Sequence, residues 1–518
     1  MHNPFFDKMI KIICRKPDYE YDVHSLVKAF YPAEELVFVR EENEAETCGK
    51  EEMSASESDC VGEKVDEANK TQANDDWNVF LEPVSDTLVL KCRFGENATE
   101  DIISLIGEKS EVKNRFKFCL YQALSKITGK KLPWGNLTGI RPTKLAMMML
   151  EQEKSDAEIK AFLQGTHLVS DEKCELGIGI AKHEKAILDR LDCKRGYSLY
   201  IGIPFCPTTC LYCSFTSNPI FKWKNRMQEY IDAIKKEIDF WSETYKDRPL
   251  NTIYIGGGTP TSLSAEQLED LITYVKGKFD LSHLLEFTVE AGRPDSITRD
   301  KLEVLYKLGI TRISVNPQTM NQETLDLIGR CHTIEQTREA FDLAREVGFD
   351  NINMDIILGL PGEDADMVAK TLEEIKEMNP DSLTAHSLAI KRASKLGEWI
   401  EKNGREALND TSDMMELTLA CAKALDMEPY YLYRQKNMAG NLENVGFAKE
   451  GKDGIYNVLI MEEKQTIVAV GAGSITKLVL PDNRIERSDN VKDVEQYLAR
   501  IDEMVERRKK LLEFEREV

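Results

Sequence analysis

Residues Tyr200-Ile201-Gly202-Ile203-Pro204-Phe205-Cys206-Pro207-Thr208-Thr209-Cys210-Leu211-Tyr212-Cys213-Ser214-Phe215 decide how the rest of the 518-residue chain is read. The largely apolar run Tyr197 to Ile203 predicts a strand that delivers Cys206, Cys210 and Cys213 onto one loop. Three thiols on a tight loop hold an iron–sulfur cluster or zinc. No fourth cysteine follows at matching spacing. A structural zinc site wants that fourth ligand, whereas a four-iron cluster held by three thiolates keeps one iron open to bind and activate a substrate.

Working outward, the next strand ends in Ile255-Gly256-Gly257-Gly258-Thr259-Pro260. Together with the Cys-x-x-x-Cys-x-x-Cys spacing, this motif resembles the radical S-adenosylmethionine (SAM) superfamily. Within it, the stretch from about Tyr197 to Lys477 resembles the oxygen-independent coproporphyrinogen III oxidases and their relatives, the radical SAM heme chaperones. The resemblance implies a 4Fe–4S cluster on Cys206, Cys210 and Cys213, and one or two bound SAM molecules.

Alternating strand and helix patterns fill residues 196–390. The strands are expected at Tyr197–Ile203, Thr252–Ile255, Leu285–Glu290, Arg312–Val315, Asn351–Ile357 and Ser382–Leu388. Six such units predict a parallel sheet curled into a partial (β/α)6 barrel. Its site belongs at the C-terminal strand ends. By motif and spacing, the resemblance assigns SAM contacts to Gly257, Gly258, Thr259, Glu290, Gln318, Arg330, Asp355, Ile357 and Ala389. It makes Tyr212 a ligand-packing residue and puts Tyr200 beside the reacting centre, as catalytic and cofactor-binding residue. Cys331 and Cys421 match no ligand position and read as packing cysteines.

The flanks read differently. Residues 1–95 form a small α/β module interrupted by an acidic insert over 41–76, where thirteen acids and three lysines give a net charge of −10. That composition predicts disorder, with Cys48 and Cys60 as two free thiols. Residues 96–195 read as a helical connector, including a helix over Asp101 to Leu105. Between its helices, Gly139-Ile140-Arg141-Pro142 resembles an N-terminally extended branch of the family. Arg141 and Lys144 there suit either an anionic substrate or a capped turn with solvated cations. Residues 391–518 are expected as an α+β lid domain. It carries Arg434 and Lys436 as candidate partners of propionates, and its highly charged terminal helix over Val491 to Val518 presents a solvated face.

The whole chain has net charge −22, which disfavours nucleic-acid and anionic-membrane binding. No run of eighteen apolar residues occurs and the start lacks a secretion-signal layout, so a cytoplasmic monomer with reduced thiols is expected. The resemblance implies an enzyme that removes carboxyl groups from two propionates of coproporphyrinogen III to leave vinyls, giving protoporphyrinogen IX in heme biosynthesis. A 5′-deoxyadenosyl radical would take the β-hydrogen. The electron would come from a flavodoxin- or ferredoxin-like donor. Two positions depart from the enzymes' pattern: Gly202 stands where they have histidine, and Phe215 where they have a further cysteine. The Ser214-Phe215 ending is closer to the heme chaperones, which bind and deliver heme without decarboxylation.

Overall fold

The computed structural model describes residues 9–32, 34–39, 77–139, 141–215, 217–391, 394–404, 411–434, 442–481 and 484–516. The acidic insert, with Cys48 and Cys60, and Lys436 lie outside the described residues. Two compact units divide the chain: Met1–Thr138 with Gly165–Val169, and Gly139–Gln164 with Ser170–Val518.

In the first unit, a five-stranded sheet runs in the order Glu35–Phe38, Met9–Cys14, Val79–Val84, Thr87–Phe94, Asn97–Ser104. Ile10, Ile12, Leu81, Leu88 and Leu90 are buried on one face with Phe30 of helix Glu20–Phe30 and Phe116 of helix Lys109–Thr128. The helix expected over Asp101 to Leu105 is instead part of the last strand, paired antiparallel from Phe94↔Asn97 to Thr87↔Ser104. Gly95, at φ 64°, supplies the left-handed turn that folds the chain back. Once paired, the strand buries Ile103 and leaves Ile102 facing out, a period of two rather than of a helix.

The second unit is built on one sheet, whose strands are β1 (Tyr197–Ile203), β2 (Leu250–Gly257), β3 (Glu286–Gly292), β4 (Arg312–Val315), β5 (Ile352–Leu358), β6 (Ser382–Ser387), β7 (Glu428–Tyr433), β8 (Asn444–Ala448), β9 (Thr466–Val470), β10 (Ile475–Val479) and β11 (Ile485–Asp489). Their order across the sheet is β7-β8-β6-β5-β4-β3-β2-β1-β9-β10-β11. Strands β1 to β6 are consecutive and parallel, and β1 and β6 do not meet, so the barrel is partial as expected.

The crossovers follow from sequence. Helix α1 (Met227–Thr244) buries Met227, Tyr230, Ile231, Ile234, Ile238 and Trp241, an i, i+3, i+4, i+7 stripe that seats it on the sheet. Helix α2 (Ala265–Lys278) starts at a Ser264–Gln267 capping box, and α3 (Ile334–Val347) at a Thr333–Gln336 box before stopping at Gly348.

The stretch expected as a separate lid contributes strands to both edges of this same sheet and lies in the same compact unit. In particular β9 runs parallel to β1, with Thr466↔Tyr197 through Val470↔Ile201. The terminal segment also differs from a single solvated helix. It is Val494–Ala499, Ile501–Leu511 and Glu513–Arg516, and it buries Ile501, Met504, Arg508 and Leu511. Arg508 donates to Ser488 O and to Asn490 Oδ1 (2.8 Å), and lies 3.9 Å from the buried Glu237 of α1. Glu237 in turn accepts from Tyr497 Oη (2.6 Å) and Gly471 N (2.9 Å), which ties the chain's end to the loop after β9.

Candidate active site

The cysteine loop leaves β1 and is held from two sides. On the β2 side, Gly258 N donates to Ile203 O and Thr259 N to Phe205 O, both at 2.8 Å. A Cβ at Gly258 would lie 2.7 Å from Phe205 O and 3.0 Å from Cys206 Sγ, so only glycine allows this approach. Thr259 Oγ1 reaches Cys206 Sγ at 3.5 Å. On the β4 side, Leu211 N donates to Ile328 O (2.9 Å) and Thr208 Oγ1 to Gly329 O (2.8 Å), which brings the loop against the turn carrying Arg330. Cys206 and Cys210 are buried and Cys213 half-buried; burial pushes the Cys206 thiol up to about 11.

Around this loop, the strand ends present charged groups of opposed character. Burial pushes the Glu290 carboxyl up to about 7 although Tyr254 Oη donates to it at 2.5 Å. Burial also works to raise Asp355. His386, 3.9 Å away, and the amide of Asn353 at 2.7 Å overcome it and hold that carboxyl below the usual range. Gln318 sits at φ 68°, a left-handed conformation costing about 1–3 kcal/mol for a residue with a side chain. Two backbone bonds to β5 impose it: Gln318 N to Asp355 O (3.0 Å) and Ile357 N to Gln318 O (2.9 Å). Arg330 donates through Nη1 to Asn316 O and Pro317 O. The buried Gln318 Oε1 and Arg330 Nε have no hydrogen-bond partner, so an acceptor and a donor are left for something else to use.

Tyr200 stacks on Tyr254 and Tyr456, with ring centroids 6.2 Å apart in each case, and a Cβ on Gly257 would come within 3.3 Å of its hydroxyl. Tyr212 packs with Leu325, Ile328, Ile357 and Leu360 in one apolar cluster. Ala389 is half-buried two residues past the end of β6.

The radical SAM superfamily model matches residues 200–375. Over 408 residues, spanning 78% of this chain and 81% of the relative, the sequence is 42% identical to the oxygen-independent coproporphyrinogen-III oxidase-like protein HemZ of Bacillus subtilis. The chain belongs to this radical SAM family. It is also 32% identical over 284 residues to the heme chaperone HemW of Bacillus subtilis, covering 54% of this chain and 70% of that one. Among solved structures, coproporphyrinogen III oxidase HemN of Escherichia coli aligns with a TM-score of 0.48 at 24% identity, over 62% of this chain and 72% of that one.

A radical SAM protein uses a 4Fe–4S cluster and SAM, and the donor set fits both. Among the described residues, no three His, Cys, Asp or Glu side chains converge on a single-ion site. The three thiols on one loop, with the unpartnered Gln318 Oε1 and Arg330 Nε beyond them, are the groups such a cluster and its ligand would use. The ten described cysteines are all free.

Arg293 is a site residue that the sequence reading passes over. Its guanidinium, 3% exposed, reaches Thr208 Oγ1 at 2.7 Å and Cys210 Sγ at 4.0 Å, and is held by Asp295 at 2.8 Å. The signal for it is Gly292-Arg293-Pro294-Asp295, where β3 ends. Tyr254 and Tyr456 are likewise missed by sequence, since the stack on Tyr200 depends on the helix Ile455–Glu462 arriving from far along the chain.

The flanking residues are placed as follows. Arg141 is paired with Glu463 at 3.2 Å and donates to Met461 O, which makes it a structural cation. Arg434 is buried, with the Glu443 carboxylate as its neighbouring charge. Cys331 is exposed, while Cys421 is buried as a packing residue. No helix among the described residues is long and apolar enough to cross a membrane.

Proposed function

We propose that this chain is a radical SAM oxidoreductase that converts propionates of coproporphyrinogen III to vinyls, giving protoporphyrinogen IX. The carrying observation is the thiol loop after β1 together with Glu290 near the end of β3, Gln318 after β4, Arg330 on the turn packed against the cysteine loop and Asp355 within β5, with Gln318 Oε1 and Arg330 Nε unpartnered. Cys206, Cys210 and Cys213 hold the cluster. Gly257, Gly258 and Thr259 give the ligand's methionine end its close backbone approach. The ionised Glu290 pairs with the ligand's ammonium, Arg330 Nε donates to an acceptor, and Gln318 Oε1 accepts. Asp355 is held ionised by its neighbours, Ile357, Tyr212 and Ala389 line the pocket, and Tyr200 stands at the reacting centre with its phenol kept protonated by burial.

Cluster and SAM together supply, on one-electron reduction, a carbon radical that takes hydrogen from an unactivated C–H bond. The chain's own work is to orient, to exclude water and to keep the loop dry. The substrate assignment draws on the relative named as coproporphyrinogen-III oxidase-like. On this reading the protein is a cytoplasmic monomer fed by a flavodoxin- or ferredoxin-like donor.

A specific observation favours a second reading, heme carriage. Phe215, where the enzymes have cysteine, is 71% exposed with Lys391 Nζ 5.6 Å from its ring centroid, an aromatic face and a cation suited to a flat macrocycle bearing carboxylates. One experiment separates the two. Reconstituted anaerobic protein receives dithionite, SAM and coproporphyrinogen III, and products are followed by liquid chromatography. Vinyl-bearing products with 5′-deoxyadenosine establish the oxidase. Unchanged substrate with stoichiometric retained heme establishes the carrier.

A further inference from the structure

The chain carries 90 acidic residues, yet none lies between Asp192 and Glu229. That acid-free stretch contains the whole cysteine loop and the segment C-terminal to it. After the loop, Asn218–Pro219 forms a short parallel pair with Phe205–Cys206, Cys206 opposite Pro219. The chain then turns into the short helix Ile220–Trp223. Trp223 is buried and anchors this helix, with Arg226 over its ring at 5.2 Å. The outer side of the segment presents Phe221, 73% exposed, with Lys222, Lys224 and Asn225. Arg226 is neutralised by Glu229 and Glu495. Lys222 and Lys224 have no carboxylate partner among the described residues, and the Lys222 ammonium lies 5.9 Å from the Phe221 ring centroid.

An exposed aromatic ring flanked by two lysines without carboxylate partners gives this face a local positive charge on a chain of net charge −22. Its place is specific as well. One strand spacing of about 4.8 Å plus two residues of at most about 3.6 Å each puts Phe221 within about 12 Å of the Cys206 backbone. The overall charge repels acidic macromolecules at long range, so a local cationic patch decides where one lands. Transient redox encounters use small interfaces, and one aromatic ring with a cationic rim suffices for such a contact.

We propose that the Phe221, Lys222, Lys224 face beside the cysteine loop is the docking surface for an acidic one-electron carrier protein that reduces the cluster. This rests on the radical SAM reading above. The step balances as one electron: the carrier's reduced flavin or iron–sulfur centre loses it, the cluster gains it, and no bond or proton moves. Acidic residues on the carrier meet Lys222 and Lys224, and Phe221 packs at the centre.

The probe is reduced flavodoxin, mixed anaerobically with cluster-loaded protein and followed by the loss of the cluster's visible absorbance. The wild type is expected to be reduced at a rate that falls steeply with added salt. In K222E/K224E the rate at low salt is expected to drop at least tenfold and to lose its salt dependence. F221S slows it without changing that dependence. Iron content and dithionite-driven SAM cleavage stay at wild-type level in all three proteins. In parallel, binding of flavodoxin to the cluster-free protein weakens at least tenfold in K222E/K224E. Equal flavodoxin-driven rates in wild type and K222E/K224E overturn the docking surface while leaving the radical SAM reading intact. Absence of SAM cleavage by the wild type with dithionite overturns that reading, and the docking surface with it. A wild-type dimer that the double substitution converts to monomer reassigns the face to a second copy of the chain.

Discussion

Glu290 makes SAM affinity depend on pH in a way that can be worked out beforehand. Burial brings its carboxyl to about 7 in the unliganded protein, and only the ionised form pairs with an ammonium group. For a site that must lose this proton before binding, the apparent Kd scales as one plus ten to the power (pKa − pH). That factor is about 1.1 at pH 8, about 2 at pH 7 and about 11 at pH 6; the ligand's own α-amino group, titrating at about 7.8, multiplies these by about 2.6, 1.2 and 1.0, so affinity weakens about fourfold from pH 8 to pH 6. Titration calorimetry on cluster-loaded, anaerobic protein in buffers of different ionisation heat reads both quantities. Kd should rise about fourfold from pH 8 to pH 6, and at pH 7 about a third of a proton net should be released per SAM bound. In Glu290→Gln, binding at pH 8 should be about 10- to 100-fold weaker, from loss of a charge-assisted pair, and the rise in Kd toward pH 6 should vanish. The unliganded protein has the opposite sign: a carboxyl raised above its ordinary 4.5 contributes stability that is present below that pH and is lost as pH rises through about 7. A Kd flat from pH 8 to pH 6, or an unchanged slope in Glu290→Gln, refutes the assignment of Glu290 to the ammonium.

Three further outcomes are expected. Gly258→Ala forces its methyl against Phe205 O and Cys206 Sγ, so it should cost about 1–3 kcal/mol in denaturant unfolding and lower the iron bound per chain; full iron content with unchanged stability would show that the approach is looser than described. Arg508→Ala strips a buried cation from Glu237, and thermal unfolding should reveal a loss of about 3–5 kcal/mol, against near-neutral behaviour for a solvated terminal helix. Cys206→Ala should abolish the cluster's absorbance and SAM cleavage together while the far-ultraviolet dichroism is kept, and a variant retaining a full cluster would remove this cysteine from the site.

The barrel was legible because its signals are local. Most of the strands β1 to β6 are short apolar runs, as in β1, helices such as α1 carry an apolar stripe, α2 and α3 start at capping boxes, and the loop thiols announce themselves by spacing. The features that escape a sequence reading depend on pairing between distant segments. The Asn97–Ser104 strand looks like a short amphipathic helix until Thr87–Phe94 lies beside it. Arg508 looks like one more solvated cation in a charged helix, and only Glu237, Ser488 and Asn490 reveal it as buried. In the site, Glu290, Gln318, Arg330 and Asp355 could be placed at strand ends by motif. Arg293 could not be tied to Cys210, because that contact needs the cysteine loop and the β3 loop to meet in space.

The pairing of β9 with β1 sets a schedule for biogenesis. The strand that feeds the cysteine loop is made early, but its neighbour on one side, Thr466–Val470, is synthesised some 269 residues later, as Thr466↔Tyr197 shows. Until then β1 is an edge strand with open backbone groups, a ready template for wrong pairing. The contacts from Tyr497 and Arg508 that pin the loop after β9 arrive later still. Cluster insertion therefore belongs after Thr466–Val470 has been made, and chains cut short before Thr466 should reach the iron–sulfur assembly machinery with an unfinished cradle.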